Sequence, residues 1–539
     1  MTVARPRQSE SLGRFLEQRA AARPGAAAVV WGEETISLGT LLDDSRRVAQ
    51  GLVDLGVGPG DRVALWLPNT PAWLALYLGC ARLGAIAVAV NTRFRAAEIG
   101  DIVGRSGARL LVLWPDFRGI DFLGILGEVD RAALDRLDGI VVCERAVAPG
   151  ERLHAKKLIA YDALRQRPPY ERDHGDGPVG SIIFTTSGTT RAPKFVLHDH
   201  YSVTSHAQAV ARRFAYDAPG TTLLQALPLG GVFGFSQMMA ALAGGALSVM
   251  PATFDPEESA RLIERHGVTS LNGSDEMFQK LLAVRSAARP FPSLGACYYA
   301  AFNPSLEGIA AEADARGLSL SGLFGMSEVQ ALFARQRPEA PLAERGRRGG
   351  FPVGEGYGAR VRDPESGRLL PPGESGEIEL SGPSLMAGYF GDPAATARAI
   401  TGDGWVRTGD LGRLVGDGSF VFETRMGDVL RLGGYLVAPA EIEAHIQRYP
   451  GIAACQVVGA VGQGGPAAVA FVTLVHGVTV DEAAIRQFCA KGLARFKVPA
   501  RCIALGEFPT TTSANGTKVQ RGRLREMAQR LLADSGTSA

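Results

Sequence analysis

From Ser181 to Lys194 the chain reads Ser-Ile-Ile-Phe-Thr-Thr-Ser-Gly-Thr-Thr-Arg-Ala-Pro-Lys. An apolar, β-prone run, 181–184, gives way to the small residues Thr185, Thr186, Ser187, Gly188 and Thr189, with Thr190 following. Pro193 and Lys194 close the stretch. Small residues around a glycine leave successive backbone N–H groups uncovered, and such groups in a turn form a concave anion site. The hydroxyls add donors and Lys194 adds a positive charge. This is the chemistry of a loop that holds a polyphosphate. It is not a Walker A loop, which needs two glycines and a lysine followed by Ser or Thr. Gly188 is the stretch's one glycine, and Phe195 follows Lys194. Alone, the stretch reads equally well as a hydroxyl-rich surface turn after a strand.

Four later segments stand out by residue type and spacing. Phe324-Gly325-Met-Ser327-Glu328 follows an apolar strand. Trp405-Val-Arg-Thr-Gly-Asp410 ends in a carboxylate. Arg425-Met-Gly-Asp428 leads to Gly433-Gly434, and Thr511 to Arg521 contains Lys518. An aromatic face suits a purine, Mg2+ favours one or two carboxylates completed by phosphate oxygens, and a carboxylate can accept from two hydroxyls. Each segment taken singly also has an ordinary reading: a solvated strand-end glutamate, a Gly-Asp turn, a Gly-Gly loop, a solvated lysine.

In this order and spacing, the segments resemble the adenylate-forming enzymes: acyl-CoA synthetases, luciferases and peptide-synthetase adenylation domains. The resemblance covers roughly the whole chain, with motifs from about 181 to 521. It implies that the loop from Thr185 to Thr190 and Lys194 hold the ATP phosphates. It also implies that Phe324 stacks on the adenine, Gly325 belongs to the same nucleotide site, Ser327 bonds the α-phosphate and Glu328 holds Mg2+. By the same resemblance Asp410 takes both ribose hydroxyls and Arg425 reaches ribose or phosphate. Asp428 is the hinge, Gly433 and Gly434 line the pantetheine channel, and Lys518 is the catalytic lysine. Ala300 and Ala301 match the strand end behind the substrate pocket, while Gly376-Glu377 and Gly388-Tyr389 match a structural segment. The chain departs from the family pattern at Arg191 and Phe195, where glycines usually flank Pro-Lys. Thr517 is inserted between Gly516 and Lys518. Gly231 replaces a His or aromatic residue, whose part Phe233 could take.

The elements that must position these residues are legible in outline. Apolar strands alternate with amphipathic helices through the first half of the chain, which predicts parallel sheets covered on both faces. Glu144 to Pro178 reads as mostly polar loop. From Gly349 the texture becomes short strands with Gly/Pro turns, a β-rich subdomain. The last hundred residues form another α+β unit. The expected fold is therefore α/β: a large N-terminal domain, 1–427, of parallel-rich sheets flanked by helices plus the β-rich subdomain, and a small mobile α+β C-terminal domain, 428–539. The run from Ala218 to Phe254 contains no Asp, Glu, Lys, Arg or His. It is expected to be core and, in part, an apolar pocket wall carrying Phe233, Phe235, Met238 and Met239.

Composition bounds the function. Hydrophobic residues are 46%, charged residues 21% and net charge is +2, so no bulk electrostatic case exists for nucleic acid. The six cysteines form no C-x-x-C pair, which speaks against a zinc site or disulfide framework and for a reducing, cytoplasmic setting. No run reads as a membrane span. No feature specifies an oligomeric state. The expectation is a ligase that joins an uncharged carboxylic acid to coenzyme A through an acyl adenylate, using ATP and Mg2+. A fatty acid ranks first as substrate and an aryl acid second. An acyl-AMP ligase that loads a carrier protein, an amino-acid adenylation domain and a non-catalytic nucleotide sensor are the alternatives. The uncharged 218–254 run argues against an amino-acid substrate, and Glu328 with Lys518 argues against a mere sensor.

Overall fold

The computed structural model describes residues 10–186, 193–303, 306, 308–432, 435–437, 439–462, 465–479, 481–493, 495–513 and 516–534. Among these residues the strands form two large sheets and three small ones. The first large sheet has nine strands. Its parallel centre runs in the order Gly180–Thr185, Ile86–Ala89, Arg62–Trp66, Leu110–Leu113, Gly139–Val142, Lys156–Ala160. Leu110–Leu113 and Gly139–Val142 are buried at every position, as unalternating apolar strands with helices on both faces should be.

The second large sheet has thirteen strands. It is parallel from Ala27–Trp31 through Leu247–Val249, Thr222–Leu224, Ser270–Ser274 and Ala296–Ala300 to Leu320–Met326. Beyond that strand it turns antiparallel, through Gln330–Arg335, Gly349–Pro352, Phe420–Arg425, Val406–Leu414 and Gly376–Ser381 to Gly358–Arg362. This antiparallel half is the β-rich texture seen in the sequence.

Two helices, Pro71–Arg82 and Val232–Gly244, lie in the core that the sheets share. Thr70 caps the first by accepting from the Trp73 N–H, and Pro71 occupies the first turn, where its missing N–H costs nothing. Phe235 stands edge-on to Tyr77 at 5.1 Å and to Phe184 at 5.2 Å, and the same core takes in Val29 of one sheet and Val63 of the other. Phe235, Met238 and Met239 therefore face this core rather than a pocket. Phe233 faces the opposite way, in a separate cluster with Ala300, Leu323 and Ala331. A helix apolar all round is a buried helix, and an uncharged run cannot by itself say which face is which.

The loop expected over Glu144 to Pro178 is broken by structure: strand Lys156–Ala160 adds to the first sheet and helix Tyr161–Arg165 follows it. Leu158 and Leu164 are buried there, few enough apolar residues to hide in a polar stretch.

Phe420–Arg425 is the last strand of the large sheets, and the 3-10 turn Met426–Asp428 follows. After it come the hairpin Leu430–Leu432 with Tyr435–Val437, a three-stranded sheet and the hairpin Thr510–Ser513 with Gly516–Val519. Helices Pro439–Gln447, Glu482–Gly492 and Arg521–Asp534 pack on them. No helix among the described residues is long and apolar enough to cross a membrane. All six cysteines are buried free thiols.

Candidate active site

Both large sheets reverse direction at the same kind of place. Strand Gly180–Thr185 lies parallel to its neighbour, and the chain returns antiparallel as Phe195–Asp199, with Phe195 opposite Thr185. Strand Leu320–Met326 is likewise parallel on one side, and the chain returns antiparallel as Gln330–Arg335. Ligands of open α/β sheets bind beyond the carboxyl ends of strands, and both reversals stand at such ends. The two reversals are joined. His198 Nε2 stands 2.7 Å from the Ser327 carbonyl oxygen, which fixes the proton on that nitrogen, and Gln330 Nε2 donates to the Ser202 carbonyl at 2.7 Å.

The neck of the first reversal is closed by a reciprocal pair. The Thr186 N–H donates to the Lys194 carbonyl at 3.0 Å, and the Lys194 N–H donates to Thr186 Oγ1 at 3.2 Å. Thr185 ends the strand and is half-buried, and Lys194 is exposed. Ser187, Gly188, Thr189, Thr190 and Arg191 lie outside the described residues. Phe195, where the family pattern has glycine, is buried. The Arg105 guanidinium lies 4.2 Å from its ring centroid, and Arg105 also donates to the Pro193 carbonyl at 2.7 Å. The bulky residue is thus built into the core of the first large sheet.

At the second reversal Gly325 is obligatory: a Cβ there would stand 2.6 Å from Ala331 Cα. Gln330 and Leu332 have φ of 61° and 65°, left-handed values that cost a non-glycine residue about 1–3 kcal/mol each. Such strain is held only where neighbours over-determine it, as the Gln330–Ser202 bond does here. Glu328 is buried. Its Oε1 accepts from the Tyr389 hydroxyl at 2.8 Å, and its carbonyl accepts from the Met386 N–H at 2.8 Å. Ser327 is half-buried beside it. Phe324 is mostly core: it is 8% exposed, with Phe420 edge-on at 5.3 Å and Phe422 at 5.9 Å.

Asp410 sits on Val406–Leu414, in register with Arg425 on the next strand. Arg425 Nε is 3.0 Å from Asp410 Oδ1, but that oxygen receives no hydrogen bond. The pair is matched in charge and misaligned for bonding, so a buried acceptor stands unfilled. Burial pushes the Asp410 carboxyl up to about 7, Arg425 pulls it down, and the charges of Glu328 and Glu377 push it up further. An unfilled buried carboxylate oxygen is a site for a ligand hydroxyl.

The candidate acyl side lies across the second sheet. Gly231 precedes helix Val232–Gly244 in extended conformation, so no side chain projects at that N-cap. Phe233 packs with Ala300, Leu227, Leu323 and Ala331. Ala301 is half-buried at the strand end, and the backbone beyond it is held by Asp275, whose Oδ2 accepts from the Phe302 and Asn303 N–H groups at 2.7 and 2.6 Å. Burial pushes the Asp275 carboxyl up to about 6 against those donors. The sequence reading missed Asp275, His198 and the Tyr389 hydroxyl. Each acts across strands far apart in the chain, and no local pattern marks it.

Asp428 is ion-paired with Arg525 of the last helix, and Arg525 also donates to the Gly427 carbonyl at 2.6 Å. Gly433 and Gly434 lie outside the described residues. Lys518 is in strand Gly516–Val519, in register with Thr511, and its side chain lies outside the described residues. Thr517 pairs with Thr512 as an ordinary member of the same hairpin, so the insertion leaves the ladder in register.

Comparison with known proteins bears on this arrangement. Residues 16–390 match the model of the AMP-binding enzyme family, and residues 441–515 match that of the AMP-binding enzyme C-terminal domain. The 3-[(3aS,4S,7aS)-7a-methyl-1,5-dioxo-octahydro-1H-inden-4-yl]propanoyl:CoA ligase of Mycobacterium tuberculosis is 31% identical over 94% of this chain and 96% of its own. Feruloyl-CoA synthase of an Amycolatopsis species is 31% identical over 96% and 99%. Among solved structures, ATP-bound MatB from Rhodopseudomonas palustris aligns with a TM-score of 0.83 at 25% identity, covering 97% of this chain and 100% of that one. Two sheets whose reversals are joined by His198 and Gln330, a strand-end glutamate and a buried aspartate with an unfilled oxygen thus come with the matching sequence family, and the chain belongs to the AMP-binding enzymes, in their acyl-CoA synthetase branch.

Proposed function

We propose that this AMP-forming acid:CoA ligase activates an apolar monocarboxylic acid with a cyclic or aryl body, ahead of a straight-chain fatty acid. The reaction class comes with the family: ATP and the acid give an acyl adenylate and pyrophosphate, and CoA then takes the acyl group. The sequence ranks fatty acids first. Two relatives named for ring-bearing acids, the indene-propanoate and feruloyl enzymes, support placing such an acid first here. The observation that carries the proposal is the buried apolar cluster of Phe233, Leu227, Ala300, Leu323 and Ala331, drawn partly from a run without charge and packed at the strand end that the acyl group would meet. A second charge on the acid would be buried there unpaired, at several kcal/mol.

The chain's own groups have these roles in the proposal. Asp410 accepts the ribose hydroxyls at its unfilled oxygen, with Arg425 alongside. Thr185 to Thr190 and Lys194 hold the phosphates. Glu328 is the carboxylate that fits Mg2+, since no cluster of three or more His, Cys, Asp or Glu among the described residues could hold a metal alone and Mg2+ takes one or two carboxylates with phosphate oxygens. Bound there, Mg2+ would neutralise charge on the phosphates. Lys518 stabilises the charge that develops as the carboxylate attacks the α-phosphorus. Residues 428–539 then turn about Asp428, Lys518 leaves, and the thiol enters past Gly433 and Gly434.

A panel of acids in a pyrophosphate-release assay tests the substrate. Cinnamate-like and alicyclic propanoates should exceed octanoate in kcat/KM, and dicarboxylates should fall well below both. Octanoate ahead of every ring-bearing acid would restore the fatty-acid reading, and a preference for dicarboxylates or amino acids would sink both.

A further inference from the structure

Tyr389 lies on the two-residue strand Gly388–Tyr389 at the edge of the first large sheet, paired with Val196 on the strand that leaves the phosphate loop. Its backbone N–H donates to Thr396 Oγ1 at 2.9 Å, and its ring packs with Val196, Met386 and Ala395. The ring is therefore fixed to the first large sheet. Its hydroxyl nevertheless ends on the other sheet, 2.8 Å from Glu328 Oε1, while the Met386 N–H three residues earlier holds the Glu328 carbonyl at 2.8 Å. The face of the ring meets Lys194, whose Nζ is 4.6 Å from the ring centroid. Among the described contacts, Glu328 Oε2 takes no hydrogen bond.

We propose that Tyr389 is the positioning residue of the Mg2+–ATP site, fixing the Glu328 carboxylate through Oε1, leaving Oε2 free for the cation, and tying that carboxylate to the loop that carries Lys194. This rests on the reading of Glu328 as the Mg2+ carboxylate. A phenol suits the role for a physical reason. An Arg or Lys partner would neutralise the carboxylate and compete with a divalent cation, whereas a neutral donor fixes its rotation and leaves its charge intact. Partners that orient a metal ligand typically contribute 10–100-fold in metal affinity. The sequence reading assigned Gly388-Tyr389 only a structural part, because the bond to Glu328 joins residues 61 apart.

Tyr389→Phe keeps the ring, its packing and its contact with Lys194, and removes only the hydroxyl. ATP binding is measured by titration calorimetry at varied Mg2+, with no acid or CoA present, and again in EDTA. The Mg2+ midpoint should rise about tenfold, with metal-free ATP binding and the melting temperature close to wild type. Combined with Glu328→Gln, it should weaken Mg2+-dependent binding no further than Glu328→Gln alone. A wild-type Mg2+ midpoint, equal losses with and without Mg2+, or additive losses in the double variant would each overturn the proposal. Because neither acid nor CoA is present, that result leaves the ligase assignment standing. Absence of acid-dependent pyrophosphate release from the wild type would sink the ligase reading and leave the Mg2+ comparison readable.

Discussion

Arg521 Nη2 donates to Glu443 Oε1 at 2.6 Å, joining the start of the last helix to Pro439–Gln447 across 78 residues of chain. The same carboxylate oxygen accepts the Val457 N–H at 2.8 Å. Burial pushes the Glu443 carboxyl up, and Arg521 pulls it back down. Arg521 stands two residues after the strand that carries Lys518, so this pair anchors the base of that hairpin. Arg521→Ala leaves a buried carboxylate with one neutral donor and should cost about 3 kcal/mol, read as a lower urea midpoint. Adding Glu443→Gln should recover part of that loss. An unchanged midpoint in Arg521→Ala would show that the pair holds nothing in place.

Asp410 sets a pH dependence. Its carboxyl titrates at about 7 when folded, against 3.8 unperturbed. Between those values the folded chain keeps a proton that the unfolded chain has released. The group's contribution to stability is therefore complete below about 4 and is lost as pH rises through about 7. Urea midpoints should fall over that window, and Asp410→Asn should flatten the fall. ATP affinity should run the other way, rising through about pH 7 as the carboxylate ionises and accepts the ribose hydroxyls. A variant that keeps the wild-type slope would place the titration elsewhere.

Lys518→Ala should lower adenylate formation by about two to three orders of magnitude, as expected for one positioned charge on a developing phosphate. Thioester formation from a preformed acyl adenylate should be nearly spared. Equal loss in both half-reactions would make the lysine structural, or show that the inserted Thr517 has moved the role.

Asp428→Pro fixes φ near about −65° and also removes the Arg525 ion pair. One half-reaction should survive and the other fail, because a single domain orientation is trapped. Wild-type rates in both would mean that no rotation at this residue is needed.

What the sequence made legible followed local rules. The strands before Thr186 and before Glu328 announced themselves as apolar runs, and the caps Thr70, Asp199 and Asp255, each accepting the N–H three residues on, are local signals of the same kind. Gly325 was read as part of a motif, and its need for glycine emerges only when the returning strand crosses it. What stayed hidden depended on how the sheets meet. Phe235, Met238 and Met239 are core because the first sheet lies against them, a fact no spacing encodes. Phe324 is held by Phe420 and Phe422, about a hundred residues on, and this narrows the adenine-stacking role expected of it. Helix Arg521–Asp534 went unread although Leu524, Ala528 and Leu532 recur every fourth residue, because charged neighbours dilute the stripe.

If one chain both adenylates an acid and passes it to CoA, the two steps can be separated by withholding CoA. Wild-type protein with ATP, Mg2+ and a ring-bearing acid should release pyrophosphate and accumulate the acyl adenylate without CoA. Adding CoA should convert the adenylate to thioester and AMP. ATP binding without acid-dependent pyrophosphate release would contradict the account in favour of a nucleotide sensor. An adenylate that CoA leaves untouched and a carrier protein consumes would contradict its second half.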